Sequence, residues 1–189
     1  AKFKWYRQNG YCYSRYQEGV PATQLLRYMR SDLENYFGIV NPPVARASTI
    51  LYPNLAAYEN PEHQYRYARL GNPMSDTFEG ALAELEGGKA AIGTQTGLSA
   101  ITTSILALAN TGDHILVVDT VYPPVRGFCG NVLSRMGVEV EYYDPCIGAD
   151  IKSLIRGNTT VIYMESPGSA TFEVQDVPAI VQVAKEQGI

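Results

Sequence analysis

Two histidines, three cysteines and one tryptophan are all that this 189-residue chain carries of those three types. The scarcity excludes several classes of chemistry. His63 and His114 stand far apart, with no HxxxH or HxH spacing, which argues against a zinc site. Cys12, Cys129 and Cys146 are odd in number and widely spaced, so neither a CxxC metal knuckle nor a disulfide framework is expected. The plain reading is three thiols in a reducing cytosol. No apolar run approaches the ~18 residues that suggest a membrane span. No basic start followed by an apolar stretch marks a signal peptide, so a cytoplasmic location is expected. A basic excess is also missing. Lys and Arg number 15 against 19 Asp and Glu, a net charge of −4, which argues against non-specific nucleic-acid binding. There is no internal repeat and no low-complexity tract.

What is present suits an ordinary globular protein: 46% of residues are apolar and 18% charged. The length allows one domain with a sizeable core and an appended segment. That segment is residues 1–37, where six basic residues face three acidic ones and Trp5 sits among Tyr6, Tyr11, Tyr13 and Tyr16. It reads either as a docking arm or as a leader packed on the domain. A helix is expected over 22–37, because Leu25, Leu26, Met29, Leu33 and Tyr36 share one face. Pro42, Pro43, Pro53 and Pro61 then impose irregular, extended backbone.

From Ser75 onward the pattern is regular. Phe78, Ala81, Leu82 and Leu85 follow helical spacing, and Gly87-Gly88 ends the helix. Residues 90–92 are a strand candidate, 98–109 a helix, 115–118 a buried strand and 123–136 a helix. Strand 138–142, a short helix over 150–155, strand 160–164 and helix 177–187 complete the series. Short apolar strands alternating with helices predict an α/β fold, a mostly parallel sheet with helices on both faces. Ligands of such sheets bind at the carboxyl ends of the strands, so the loops after Ile92, Val118 and Met164 are the ones to inspect.

Four features there can carry chemistry, each beside a plainer reading. Thr94-Gln95-Thr96-Gly97-Leu98-Ser99 opens a helix: its free amides suit a phosphate, or Thr96 is only a cap. It is neither a Walker loop nor a dinucleotide fingerprint. Tyr67 and Arg69, two apart on an extended segment, point the same way and can hold a phosphate together, or they line a solvated basic loop. Tyr122 follows a buried strand; its ring can stack on a flat cofactor and its phenol can move protons, or it is a core tyrosine. Residues 165–170 shape a pocket floor or form a simple turn.

In order and spacing, these features resemble the cysteine/methionine-metabolism enzymes that use pyridoxal phosphate. The resemblance runs from about Gly38 to Ile189. Residues 40–49 resemble the family's opening segment, and Tyr67-Ala68-Arg69-Leu70-Gly71-Asn72-Pro73 its Tyr-x-Arg-x-x-x-Pro signature. Leu85-Glu86-Gly87-Gly88 with Thr96-Gly97-Leu98-Ser99-Ala100-Ile101 resembles its phosphate loop, and Gly112-Asp113-His114-Ile115-Leu116 leads to the stacking tyrosine, Tyr122. Within the family, residues 144–151 and 165–180 look most like bacterial cystathionine β-lyases, although Gly168-Ser169-Ala170 replaces the commoner Ser-Asn-Pro.

The resemblance implies the N-terminal part of a fold-type I pyridoxal-phosphate enzyme, with an arm and irregular segment over 1–60 and a partial, aspartate-aminotransferase-like large domain over 61–189. It implies that Gly97 and Leu98 hold the pyridoxal 5'-phosphate through backbone amides, and that Tyr67 and Arg69 reach the phosphate of a neighbouring subunit. Tyr122 would lie over the ring as the catalytic residue, and Ser169 near the cofactor or the substrate carboxylate. Homotetramers with an intersubunit site are implied. The cofactor acidifies the substrate Cα–H by spreading negative charge over its ring. A thiolate can then leave Cβ, and the reaction implied is β-elimination of cystathionine to homocysteine, pyruvate and ammonia. Cystathionine γ-synthase and methionine γ-lyase are the alternatives within the family. A non-catalytic truncated subunit acting by association is the alternative outside it.

Residues 1–37 do not resemble the family. The Schiff-base lysine, the aspartate that pairs with the pyridine nitrogen and the carboxylate-binding arginine have no counterpart in these 189 residues. Lys89, Lys152 and Lys185 lie outside the lysine's motif. The 189 residues alone are therefore expected to be inactive.

Overall fold

The computed structural model describes residues 2–8, 11–17, 44–60 and 65–189; for the first two stretches it describes the backbone alone. The helix expected over 22–37, Pro42, Pro43, Pro61 and His63 lie outside the described residues. The chain divides into two compact units, residues 1–93 and 94–189.

In the first unit, β1 (Lys2–Gln8) and β2 (Tyr11–Gln17) pair antiparallel, in register from Lys2 opposite Gln17 to Gln8 opposite Tyr11. The periodicity of the sequence predicts no strands here. The local signal for them is Asn9-Gly10, a strong short-range mark of a hairpin when two β-prone runs flank it. The short helix α1 (Leu55–Glu59) starts at Asn54, whose side chain accepts the Ala57 N–H at 2.8 Å. Helix α2 (Pro73–Glu86) has both ends written in the sequence. The Asn72 side chain accepts the amides of Met74 and Ser75, and Pro73 fills the first turn, where no amide is needed. Gly87 then adopts φ 61°, and the Gly88 N–H reaches Ala83 O at 2.7 Å, closing the helix with a left-handed cap. The strand expected at 90–92 does not form. Among the described residues no strand pairs with it, and Ile92 is 86% exposed.

The second unit is a parallel sheet. Strands β3 (His114–Val118), β4 (Glu139–Tyr143) and β5 (Thr159–Tyr163) lie in the order β4-β3-β5. Both pairings are parallel. All five residues of β3 are buried. Successive side chains of a strand point to opposite faces, so both faces of the sheet are covered. The cover comes from α3 (Gly97–Leu106), α4 (Pro123–Phe128) with the tighter and wider turns that follow it to Met136, a 3₁₀ segment (Gly148–Leu154) and α5 (Val177–Gln187). Ile105, Val125, Leu133, Ile151 and Ile180 bring these elements into one apolar cluster with β3. Burying a side chain such as Leu116 contributes about 2 kcal/mol.

The helix expected over 123–136 is regular only as far as Phe128. Cys129–Leu133 widens into a π turn and Ser134–Met136 tightens into 3₁₀. Gly127 and Gly130 in so short a stretch weaken the regular ladder. The short helix expected over 150–155 is the 3₁₀ segment. No helix of the described residues is long and apolar enough to cross a membrane.

His114 begins β3, at the end of the sheet opposite the strand-end loops, and is fully buried. Its Nδ1 lies 2.8 Å from Thr159 Oγ1 and its Nε2 3.3 Å from a Glu141 carboxylate oxygen. Burial, then the charge of Arg156, push its pKa below 6.5, against the opposite pull of Glu141 and Glu139. Arg156 itself pairs with both of those glutamates.

Candidate functional site

The carboxyl ends of β3 and β5 carry two of the residues that the sequence singles out, Tyr122 and Ser169. Strand β3 ends at Val118, and the chain runs through Asp119 and Thr120 to buried Val121 before Tyr122 starts α4. Pro123 and Pro124 force this geometry: neither supplies an amide, and Tyr122, which precedes a proline, is held at φ −47°, ψ 123°. The Tyr122 side chain is 45% exposed, so it is not the core tyrosine of the plainer reading.

Three backbone amides tie the 119–122 loop to β4, to the turn after β5 and to Glu165. The Asp119 N–H donates to Tyr143 O at 2.8 Å, and the Ser169 N–H donates to Thr120 O at 2.7 Å. The Tyr122 N–H donates to Glu165 Oε2 at 3.2 Å. The segments bearing Tyr122 and Ser169 are thus brought into direct contact. Arg126, one turn into α4, pairs with the Asp119 carboxylate and backbone carbonyl, and its guanidinium lies 4.1 Å from the centre of the Tyr142 ring.

The turn after β5 is tightly made. A Cβ on Gly168 would sit 2.4 Å from Thr120 Oγ1 and 2.7 Å from Thr120 Cβ, so only glycine allows this approach. Ala170 and Phe172 take φ 66° and 61°, the left-handed region that costs a non-glycine residue about 1 kcal/mol or more. The turn closes through Gly168 N–H to Glu173 O and Phe172 N–H to Gly168 O. It is not a simple turn, and it leaves Phe172 and Val174 each 74% exposed.

Behind it lies a buried polar residue that no sequence motif singles out. Gln175 is 4% exposed. Its Nε2 donates to Glu165 O at 2.7 Å, its Oε1 accepts the Tyr143 hydroxyl at 2.8 Å, and its backbone N–H donates to Ser166 Oγ at 3.0 Å. Tyr163 O lies 3.1 Å from the same hydroxyl and shares its single proton as a second, longer acceptor. Burial raises the pKa of Tyr143 well above the ordinary phenol value, keeping the proton it donates. Burial, then the nearby Glu165 charge, push Tyr163 up to about 12. Nothing in the sequence marks Gln175, because its partners lie 10 and 32 residues away.

At the start of α3, Thr96 is a cap, as its plainer reading holds. Its hydroxyl accepts the Ser99 N–H at 3.0 Å, and Ser99 Oγ accepts the Thr96 N–H at 3.0 Å. The cap does not compete with an anion site. It uses the third amide of the helix and Thr96 O takes the fourth, from Ala100, so the amides of Gly97 and Leu98 have no partner among the described residues. Gly97 is exposed and a Cβ there would meet nothing within 4 Å, while Leu98 and Ile101 pack on the apolar cluster. An open pair of donors at the positive end of a ten-residue helix fits a phosphate group.

Tyr67 and Arg69 belong to the first unit. Tyr67 forms an isolated antiparallel bridge with Thr49, and the Ala68 N–H donates to Ser48 O. The extended backbone expected here stops at Tyr67: the Leu70 N–H turns back to Tyr67 O at 2.9 Å. Tyr67 and Arg69 are nevertheless both exposed, with Ala68 buried between them. Lys89, Lys152 and Lys185 are exposed.

A parallel sheet with an exposed tyrosine and a glycine-tight turn beyond its strand ends, and a capped helix that leaves two amides open, defines an α/β protein whose helix start can take an anionic group. The family model described as Cys/Met metabolism PLP-dependent enzyme matches residues 22–189, and the chain belongs to that family. Its members depend on pyridoxal phosphate. The chain is 47% identical over 163 residues to a Rhizobium johnstonii protein whose cystathionine beta-lyase name is provisional, covering 86% of this chain and 41% of that one. It is 38% identical over 168 residues to a cystathionine beta-lyase of Escherichia coli, covering 86% and 42%. The crystal structure of a cystathionine gamma-lyase from Lactobacillus plantarum, complexed with L-serine, superposes with a TM-score of 0.79 at 29% identity, over 88% of this chain and 42% of that one. The chain therefore spans about two fifths of the length of the relatives it matches.

Proposed function

We propose that the protein to which these residues belong is a pyridoxal-phosphate-dependent carbon–sulfur lyase that cleaves cystathionine by β-elimination. Cystathionine and water would give homocysteine, pyruvate and ammonia. The observation that carries the reading is the pair of unclaimed amides at Gly97 and Leu98 on the same unit as an exposed, firmly held Tyr122. The beta-lyase names of the Rhizobium johnstonii and Escherichia coli relatives support the choice of substrate.

When bound, the cofactor supplies the electron sink that makes the substrate Cα–H acidic. The residues of this chain bind it, orient it and shield it. Gly97 and Leu98 would hold the phosphate with two backbone donors and the helix dipole, which fixes the ring without using a side chain. Tyr122 would lie over the ring, shield it from water on that face and carry a proton at its phenolic oxygen. Ser169, where the family more often has asparagine, would contact the cofactor or the substrate carboxylate. Tyr67 and Arg69 would complete the phosphate site of a neighbouring subunit in an oligomer, with Arg69 supplying forked donors.

The test is a pyruvate assay on the protein from its native source, loaded with pyridoxal phosphate and given cystathionine. Pyruvate release is expected, and Tyr122→Phe is expected to lower kcat by about 100-fold. A second reading, γ-elimination, is favoured by the structural likeness to the cystathionine gamma-lyase. Preferential release of 2-oxobutyrate from methionine would replace the β-lyase reading with that one.

A further inference from the structure

We infer that Glu165 is a positioning residue for Tyr122, and that Gln175 is the buried brace that makes it one. The inference rests on the proposed role of Tyr122 and adds to it the device that sets the ring in place. Tyr122 stands at the junction of a strand-end loop and a helix whose first two residues are prolines. The prolines bring no amide to that junction, and the Tyr122 N–H is the donor that ties it to the end of β5, reaching Glu165 Oε2 at 3.2 Å. Glu165 lies 43 residues further along the chain, at the end of β5.

A carboxylate on a loop is a poor anchor unless its own backbone is fixed. Gln175 fixes it. The Gln175 Nε2 holds Glu165 O, its backbone amide holds Ser166 Oγ, and its Oε1 is held by the Tyr143 hydroxyl. Tyr143 in turn offers its backbone carbonyl to Asp119, the first residue of the Tyr122 loop. The ring of contacts therefore runs from Tyr122 through Glu165, Gln175 and Tyr143 to Asp119, and returns along the loop to Tyr122. A side-chain amide is suited to this place. It donates on one side and accepts on the other, and both its partners are satisfied in a site that is 4% exposed. Without the tie between the Tyr122 amide and Glu165, the loop keeps its anchors at Asp119 and Thr120, but the Tyr122 backbone keeps only the bond its carbonyl accepts from the Val125 N–H.

Hydrogen exchange at the Tyr122 amide, read by NMR on the full-length protein without cofactor, tests the bond directly. Glu165→Ala is expected to speed that exchange about tenfold or more while the amides of β3 stay protected, and Glu165→Gln, whose amide oxygen still accepts, is expected to restore protection. Gln175→Leu is expected to act in the same direction, and Glu165→Ala keeps the test sound where the buried substitution prevents folding. In the active enzyme, Glu165→Ala is expected to lower kcat about 10–100-fold with KM within about threefold. That loss should vanish in a Tyr122→Ala background. An unchanged Tyr122 amide, or an equal loss of kcat with and without Tyr122, overturns the inference. If Tyr122→Ala leaves kcat intact while the exchange pattern holds, the proposed role of Tyr122 falls and the tie between Glu165 and Tyr122 stands.

Discussion

Sixteen apolar residues form one buried cluster in the unit of residues 94–189, whereas among the described residues of 1–93 the buried apolar side chains are Ala68 and Ala81. The contrast is one of position as much as of number. In the second unit the large side chains point inward from a sheet, and the candidate site residues Gly97, Leu98, Tyr122 and Ser169 sit on elements tied to that core. In the first unit Leu51, Leu70 and Ile92 are 88%, 87% and 86% exposed, beside exposed Tyr67 and Arg69. One unit buries its large apolar side chains in a single cluster. The other, among its described residues, presents apolar and basic groups outward.

The sharpest way to break that contrast is to truncate a large side chain in each unit. Leu116→Ala is expected to cost about 3–5 kcal/mol, because β3 is buried on both faces and cannot collapse around the gap. Leu70→Ala should stay within about 0.5 kcal/mol. Denaturant midpoints of the two variants check this, and equal losses would show that the apolar surface of the first unit is part of the folded core. Gly168→Ala comes next. Its new Cβ meets Thr120, so a loss of about 1–3 kcal/mol is expected, with the Tyr122 loop displaced. Thr96→Ala should cost about 1 kcal/mol by removing the cap of α3, and Thr96→Ser should recover it, both read by thermal melts.

The smallest effect concerns pH. The folded pKa of His114 is depressed, so the unfolded chain takes up its proton first as pH falls. The stability contributed by neutral His114 is complete above pH 6.5 and is lost as pH drops from there through the lower folded value. His114→Gln should flatten that part of the curve, measured as denaturant midpoints from neutral pH downward. A curve unchanged by the substitution would place the pH dependence elsewhere.

Much of the second unit is legible in the sequence because local signals agree with the tertiary fold. Ile115–Val118 reads as a buried strand and becomes the centre of the sheet, the helix starting near Gly97 carries its own cap in Thr96, and the one starting near Val177 carries both a cap, Asp176, and a stop, Gly188. Residues 90–92 have strand composition, but composition supplies no partner, and hydrogen-bonded pairing decides whether a strand exists. The hairpin of β1 and β2 is signalled by Asn9-Gly10 alone, a two-residue mark easily outweighed by the long helical spacing that comes after it. The individual residues of the candidate site are visible as motifs. What ties them together is not: the bonds from Glu165 to Tyr122 and from Gln175 to Tyr143 join residues 43 and 32 apart, and no local pattern encodes either.

The most direct test of the account is to add pyridoxine 5'-phosphate, which carries the phosphate and the ring but no aldehyde for a lysine to capture, and to follow backbone amide shifts. The largest, saturable shifts are expected at Gly97 and Leu98, with a second set at Tyr122, and inorganic phosphate alone should reproduce only the first. Shifts that bypass Gly97 and Leu98, or a Tyr122 amide that responds no more than the distant strand start at His114, would contradict it.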